Sequence, residues 1–321
     1  MSLSDHAESK FNEEMNQEQR NNLFNIKPLS IWITEAYMRP TPKQLFDVFW
    51  YENEICILFA DTNTGKSILA VQEAEHISRQ QPVLYVDFEL SDKQFQIRYT
   101  NEHGEMYQFH DDFLRAELNS DCDLPVGMTF EQFVIQSLES VLEKSGIKIL
   151  IIDNITYLRQ DNERGKDALS MMKELKALKK KYDLSILCLA HVPKRDNSKP
   201  ITRNDLAGSK MLINFCDSAF AIGESVKDSS IRYLKQIKTR NGAIVYDAEN
   251  VSVYQIVKPD CFLKFEYIGN SNEMEHLRQP SNEDRETRIA QAKQMKAEGK
   301  TNIQIAKHFG VTEGAIRKWK L

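Results

Sequence analysis

Between residues 26 and 270 the chain alternates short, nearly continuous apolar runs with longer stretches whose apolar residues recur every three or four positions. The runs are ICILFA (55–60), VLYVDF (83–88), ILIID (149–153), SILCLA (185–190) and SAFAIG (218–223). Continuous hydrophobicity suits strands covered on both faces, as in a parallel sheet. Between the runs, helical spacing is found over Ser67–Arg79, Thr129–Lys144 and Lys166–Lys181. In the last of these, Leu169, Met172, Leu175 and Leu178 share one face. Residues 231–268 change character: RYLKQIKTR, AIVYDAE, VSVYQIV and CFLKFEYI are short alternating segments that predict an antiparallel extension. The whole pattern predicts an α/β fold built on a mainly parallel sheet flanked by helices.

The two ends read differently. Residues 1–25 are polar and are expected to form a loosely held tail. Residues 271–286 are polar, contain Pro280, and are expected to be a linker. Residues 287–321 hold eight Lys and Arg against two acids, although the chain as a whole carries a net charge of −5. Any contact with nucleic acid must therefore come from local patches rather than from a global field. Of 321 residues 41% are hydrophobic, enough for a real core. No apolar run approaches the roughly 18 residues of a membrane span. The N-terminus lacks the basic start and apolar stretch of a signal peptide. The five cysteines are widely spaced with no CxxC, which points to reduced thiols in a cytoplasm rather than disulfides or zinc.

The most informative segment is ADTNTGKS, Ala60–Ser67, set between a strand and a helix. This is the context of a phosphate-binding loop. Backbone amides of Thr62, Asn63, Thr64 and Gly65, with the helix N-terminus behind them, can cradle phosphate oxygens. Lys66 supplies positive charge to the outer phosphates and the Ser67 hydroxyl ligates Mg²⁺. Gly65 can turn without a Cβ clash. The pattern wants glycine at position 60, where this chain has Ala60; a methyl there is tolerated if the backbone keeps φ below zero. Asp153, the acid ending ILIID, is placed to hold the magnesium through water. Hydrolysis also needs a base, and VDFEL offers Asp87 and Glu89; Glu89 is favoured because it lies at the strand end, nearer the phosphates.

With these residues in view, positions 26–270 resemble the RecA-like ATPases. The likeness is to the branch that holds ring-forming replicative helicases of the plasmid RepA and DnaB kinds and related ATPases of mobile elements. The resemblance rests on ADTNTGKS, Glu89, ILIID, the polar end of LAHVPKR, and LKQIKTRNG (234–242). It implies that Glu89 is the catalytic base and that His191 senses the γ-phosphate. It implies too that Lys238 and Arg240 act in trans as fingers on the next subunit's nucleotide. The active form would then be a homo-oligomer, up to a hexameric ring, with ATP and Mg²⁺ between subunits. The loop after His191 carries Lys194, Arg195, Lys199 and Arg203 and is expected to be exposed and mobile. In the RecA-like group the corresponding loop faces DNA, so these cations would neutralise a single strand.

The C-terminal residues predict three helices: TRIAQAKQMKAE, then NIQIAKHF capped by Thr301, then EGAIRKWK capped by Thr312. Ala306, Gly310 and Ile316 stand where a helix-turn-helix needs a small residue, a left-handed turn and a core anchor. This unit resembles the helix-turn-helix of resolvase and invertase-type recombinases. The likeness implies that Thr312, Glu313, Arg317 and Lys318 face duplex DNA. Two functions from different classes follow. One is an oligomeric DNA-dependent ATPase serving replication, mobilisation or excision of a mobile element. The other is a nucleotide-switched DNA-binding regulator with little hydrolysis.

Overall fold

The structure, a computed structural model, describes residues 24–158, 166–192, 195–206, 209–278 and 282–319. The tail up to residue 23 and Lys194 lie outside them. Residues up to Lys43 form a compact unit of their own. Its described part carries α1 (Leu29–Tyr37), a helix with no buried residue; Lys27, just before it, pairs with Glu35 at 2.7 Å and lies over the Trp32 ring.

The second unit runs from Gln44. A hairpin of β1 (Gln44–Phe46) and β2 (Trp50–Tyr51) leads into β3 (Ile55–Ala60), α2 (Lys66–Ser78), β4 (Val83–Asp87), α3 (Asp92–Arg98) and β5 (Phe113–Ala116). Next come α4 (Phe130–Ser145), β6 (Ile149–Asp153), α5 (Lys166–Tyr182), β7 (Ser185–His191) and α6 (Ser209–Phe215). The strands β8 (Ser218–Glu224), β9 (Ile231–Lys238), β10 (Val251–Val257) and β11 (Lys264–Ser271) complete the sheet. Three helices close the chain: α7 (Asn282–Ala297), α8 (Asn302–Phe309) and α9 (Glu313–Lys318).

The nine strands of the main sheet are ordered β11-β10-β9-β8-β3-β7-β6-β4-β5. From β8 to β5 every pairing is parallel, while β9, β10 and β11 extend the sheet antiparallel. This is the α/β architecture that the apolar runs predict, a RecA-like core. All six residues of β3 are buried, and they alternate between two cores. Ile55, Ile57 and Phe59 join the core that Leu138, Leu142 and Leu175 of α4 and α5 cover, while Cys56, Leu58 and Ala60 join the one beneath Leu69, Ala70 and Ala74 of α2. A two-sided core is what continuous hydrophobicity encodes.

Several elements differ from expectation. AIVYDAE is not a strand, because the Gln236 side chain does the work of a partner: its Oε1 accepts from the Val245 and Tyr246 amides at 2.7 and 3.0 Å. The start of the expected linker is packed. Glu273, His276 and Leu277 are buried, and Glu273 takes Lys235 at 2.5 Å and the Ile201 amide at 2.7 Å. That same contact anchors the loop after β7. Ile201 and Leu206 are buried and Lys235 Nζ donates to the Ile201 carbonyl at 2.8 Å, so the described part of this loop is held down rather than free. Two isolated apolar residues suffice because a buried ion pair satisfies the backbone between them.

The C-terminal helices pack on Ala292, Ile305, Ala306, Phe309 and Ile316, with Trp319 against Phe309 at 5.4 Å. Thr301 and Thr312 cap α8 and α9, and Gly310 ends α8 at φ +63°, the left-handed turn. The first of the three, α7, starts at Asn282, earlier than its apolar spacing predicts.

Candidate functional site

Four neighbouring strands, β3, β7, β6 and β4, bring their C-terminal ends to one edge of the sheet. Register then does the positioning: Ala60 pairs with His191, and Asp87 with Asp153. In an open parallel sheet this edge is where ligands bind.

The loop Asp61–Gly65 leaves β3 here and enters α2 with no side-chain cap at its N-terminus, so the first-turn amides keep no partner within the helix. Gly65 has φ +103°, and a Cβ on it would lie 2.9 Å from the Phe265 ring and 3.2 Å from Ile256. Conformation and space both require glycine. Ala60 is absent from the residues with positive φ, so its methyl costs nothing in the backbone. Thr62 and Asn63 are exposed, whereas Thr64 is buried and its hydroxyl donates to the Asp61 carbonyl at 2.9 Å.

Lys66 is buried and spends all three ammonium protons within the chain: on the carbonyls of Ala60 at 3.1 Å and Asp61 at 2.8 Å, and on His191 Nδ1 at 3.2 Å. An ammonium only donates, so Nδ1 must accept and the proton of the neutral ring sits on Nε2. Nε2 in turn lies 2.7 Å from Glu89 Oε1. The same oxygen accepts from Asn154 Nδ2, and the His191 amide donates to Thr156 Oγ1 at 3.2 Å. Burial lowers the Lys66 pKa, against the pull of Asp153, Glu89 and Asp61. The hydrogen bond from His191 holds the Glu89 carboxyl below the usual range.

Asp87 and Glu89 have separate roles. Asp87 Oδ1 accepts from the amides of Glu89 and Leu90 at 3.0 and 2.9 Å, and Oδ2 takes Arg115 at 3.0 Å. Arg115 also donates to the Leu90 carbonyl at 2.5 Å. Asp87 is thus consumed in holding the turn, and Glu89 is presented to the site. Asn154, Thr156 and Arg115 support the site without having been singled out from sequence, and so does Asp87, which the sequence offered beside Glu89 as a candidate base. Of the first three only Asn154 carried a signal, as the polar residue directly after ILIID.

Asp153 is fully buried, with the Tyr85 hydroxyl donating to Oδ2 at 2.6 Å, while Oδ1 has no hydrogen-bond partner. Burial pushes its pKa up to about 6, against the hydroxyls of Ser67 and Tyr85. A buried carboxylate oxygen left orphaned beside a hydroxyl at a helix N-terminus fits a hard cation with its water shell. The residues present therefore suit Mg²⁺, which Ser67 and Asp153 would hold. Among the described residues no cluster of three or more His, Cys, Asp or Glu could hold a metal, and no helix is long and apolar enough to cross a membrane.

The remaining expected site residues are elsewhere. Lys238 and Arg240 lie at the opposite edge of the sheet, since Lys238 pairs with Ala219 at the start of β8. Lys238 donates to the carbonyls of Ile213 at 2.5 Å and Cys216 at 2.7 Å, and Arg240 pairs with Asp217 at 3.1 Å. Within one chain neither reaches the phosphate loop. In the loop after β7, Lys199 and Arg203 are exposed and Arg195 Nη2 donates to the Lys199 carbonyl. On α9, the Thr312 hydroxyl accepts from the Ala315 amide at 3.3 Å and Glu313 pairs with Arg317 at 2.8 Å, while Lys318 is exposed.

A parallel core carrying a phosphate loop, a buried acid on the next-but-one strand and an acid beyond it defines a RecA-like P-loop ATPase. The chain belongs to the family described as AAA domain, whose model matches residues 24–197, more than half of its length. It is similar to the DNA repair protein RadA of Streptococcus pneumoniae, with 24% identity over 214 residues. That match covers 64% of this chain and 44% of the relative.

Proposed function

We propose that this chain is a DNA-associated ATPase that works as a homo-oligomer, of the RepA and DnaB kind, in replication, mobilisation or excision of a mobile element. The observation that carries it is the hydrogen-bonded chain from Lys66 through His191 to Glu89, set beside the orphaned oxygen of Asp153. In this reading the amides of Thr62 to Gly65 and the Lys66 ammonium hold the phosphates, and Ser67 and Asp153 hold Mg²⁺. When bound, the metal would offset charge on the phosphate oxygens. Glu89 takes the proton of the attacking water, His191 registers the γ-phosphate, and Lys238 and Arg240 of one subunit reach the nucleotide of the next.

The relative is by name a DNA repair protein, and DNA contact by this chain is supported at two places. Lys194, Arg195, Lys199 and Arg203 offer charge to a single strand. The domain from residue 287 onward, with Thr312, Glu313, Arg317 and Lys318 on its last helix, offers a resolvase-like helix-turn-helix to duplex DNA. For this the Glu313–Arg317 pair must open, which is inexpensive for an exposed pair.

The test is ATP hydrolysis by the purified protein, alone and with single-stranded or duplex DNA, beside Lys66→Ala and Glu89→Gln. Turnover that rises with DNA and vanishes in both variants supports the proposal. Binding of ATP through Lys66 with turnover that no DNA raises replaces it with the nucleotide-switched regulator.

A further inference from the structure

Outside the residues assigned so far, one buried cation touches the phosphate loop from behind. Arg232, near the start of β9, is 7% exposed and its Nε donates to the Thr64 carbonyl at 2.9 Å. Its Nη1 donates to the carbonyls of Ser229 and Ile231 at 2.7 and 2.9 Å, and Nη2 lies 3.5 Å from Glu224. Taking a guanidinium out of water costs several kcal/mol unless its protons are met, and here three of the contacts are to carbonyls.

The carbonyls of a loop that binds anions must face away from the anion, since carbonyl and phosphate oxygens repel. At Thr64 a buried side chain performs that task. Arg232 takes the carbonyl of Thr64. In a trans peptide the C=O and N–H point in opposite directions, so fixing Thr64 O outward aims the Gly65 amide into the loop. The Thr64–Gly65 peptide can also flip at low steric cost, because its second residue is a glycine.

We infer that Arg232 is a positioning residue for nucleotide binding, which holds the Thr64–Gly65 peptide with its amide toward the phosphates. It acts through the loop and touches no phosphate itself. This rests on the reading of Ala60–Ser67 as the phosphate site, but not on DNA binding or oligomer formation.

The experiment is direct binding of ATP, ADP and GTP to the full chain without DNA, together with kcat and KM, for Arg232→Met and Arg232→Lys. Loss of a hydrogen bond from a charged group corresponds to roughly tenfold or more in affinity. Arg232→Met should weaken ATP and ADP by about that factor, while kcat at saturating ATP falls less than about threefold. The preference between ATP and GTP should stay as it is, because the phosphates and not the base are affected. Arg232→Lys keeps the charge and can meet some of the carbonyls; it should lie between the two, about threefold weaker than the parent. A folded Arg232→Met or Arg232→Lys that binds ATP as the parent does overturns the inference, as does a loss confined to thermal stability and kcat. If Arg232→Met does not fold, the Kd of Arg232→Lys decides on the same criterion. A protein that ignores DNA yet shows this pattern sinks the proposed function and leaves Arg232 in place.

Discussion

The two edges of the central sheet both gather buried or half-buried charge, but they leave it in different states. At the phosphate edge the account is open: Asp153 Oδ1 has no partner, and Lys66 is tied to two carbonyls and a histidine that a phosphate would displace. At the opposite edge it is closed. Asp217 receives Lys179 at 2.8 Å, Arg240 at 3.1 Å and the Ile55 amide at 3.0 Å, and Lys238 caps the last carbonyls of α6. Although burial pushes Asp217 up, the hydrogen bonds from Lys179 and Ile55 hold it below the usual carboxylate range. The difference separates a surface that needs a ligand from one that is complete in the folded chain. The closed edge can serve a neighbour only by giving up contacts it already has.

The strongest way to break this contrast is at Arg240. If the closed edge does open onto a neighbour's nucleotide, Arg240→Ala should lose about 10³-fold in turnover, the scale of a trans-acting arginine. Mixing it with Glu89→Gln should then restore part of the activity, because some mixed interfaces pair an intact finger with an intact base. No recovery on mixing would confine Arg240 to its own chain. Next in size is Glu89→Gln alone, expected to lower kcat by at least about 10²-fold while ATP binding persists. A matching loss of affinity would mean that Glu89 holds nucleotide rather than activating water.

Smaller effects bear on stability. Asp153 keeps its proton up to about pH 6 in the fold, against an ordinary 3.8. Its raised value makes ionisation a cost that is absent below about pH 4, grows between the two values and is complete above about pH 6. Asp153→Asn should therefore stabilise the nucleotide-free protein by about 3 kcal/mol at pH 7.5, with no gain at pH 4. Denaturant melts at the two pH values check this, and a destabilised variant at pH 7.5 would refute the orphaned charge. The smallest effect belongs to the closed edge. Arg240 is half exposed and Asp217 keeps two other partners, so Arg240→Ala should cost less than about 1 kcal/mol in the same melts.

The buried strands were readable because each is covered on both faces and so is apolar throughout. ICILFA and ILIID match β3 and β6 residue for residue. The short pieces were not. With four residues β5 is too brief for any period to show, and α3, with seven, is held mainly by the Ser91–Gln94 capping box. Of the candidate site, the residues in the phosphate loop and at strand ends were legible because the chemistry requires those types at that spacing. Arg115, Asn154 and Arg232 were not, since each gains its meaning only from a partner brought close by the sheet. Arg232 and Thr64 are 168 positions apart along the chain.

One strand meets most of these partners. Along β9, Arg232 is tied to the phosphate loop, Lys235 to the Ile201 carbonyl of the loop after β7, and Lys238 to the end of α6. Hydrogen bonds to β8 on one side and β10 on the other keep this strand from sliding alone. Its two outer lysine and arginine pegs are about 20 Å apart. Mechanically, β9 ties the phosphate loop at one end to the close of α6 at the other, with a bulge at Ile237 just before the Lys238 anchor.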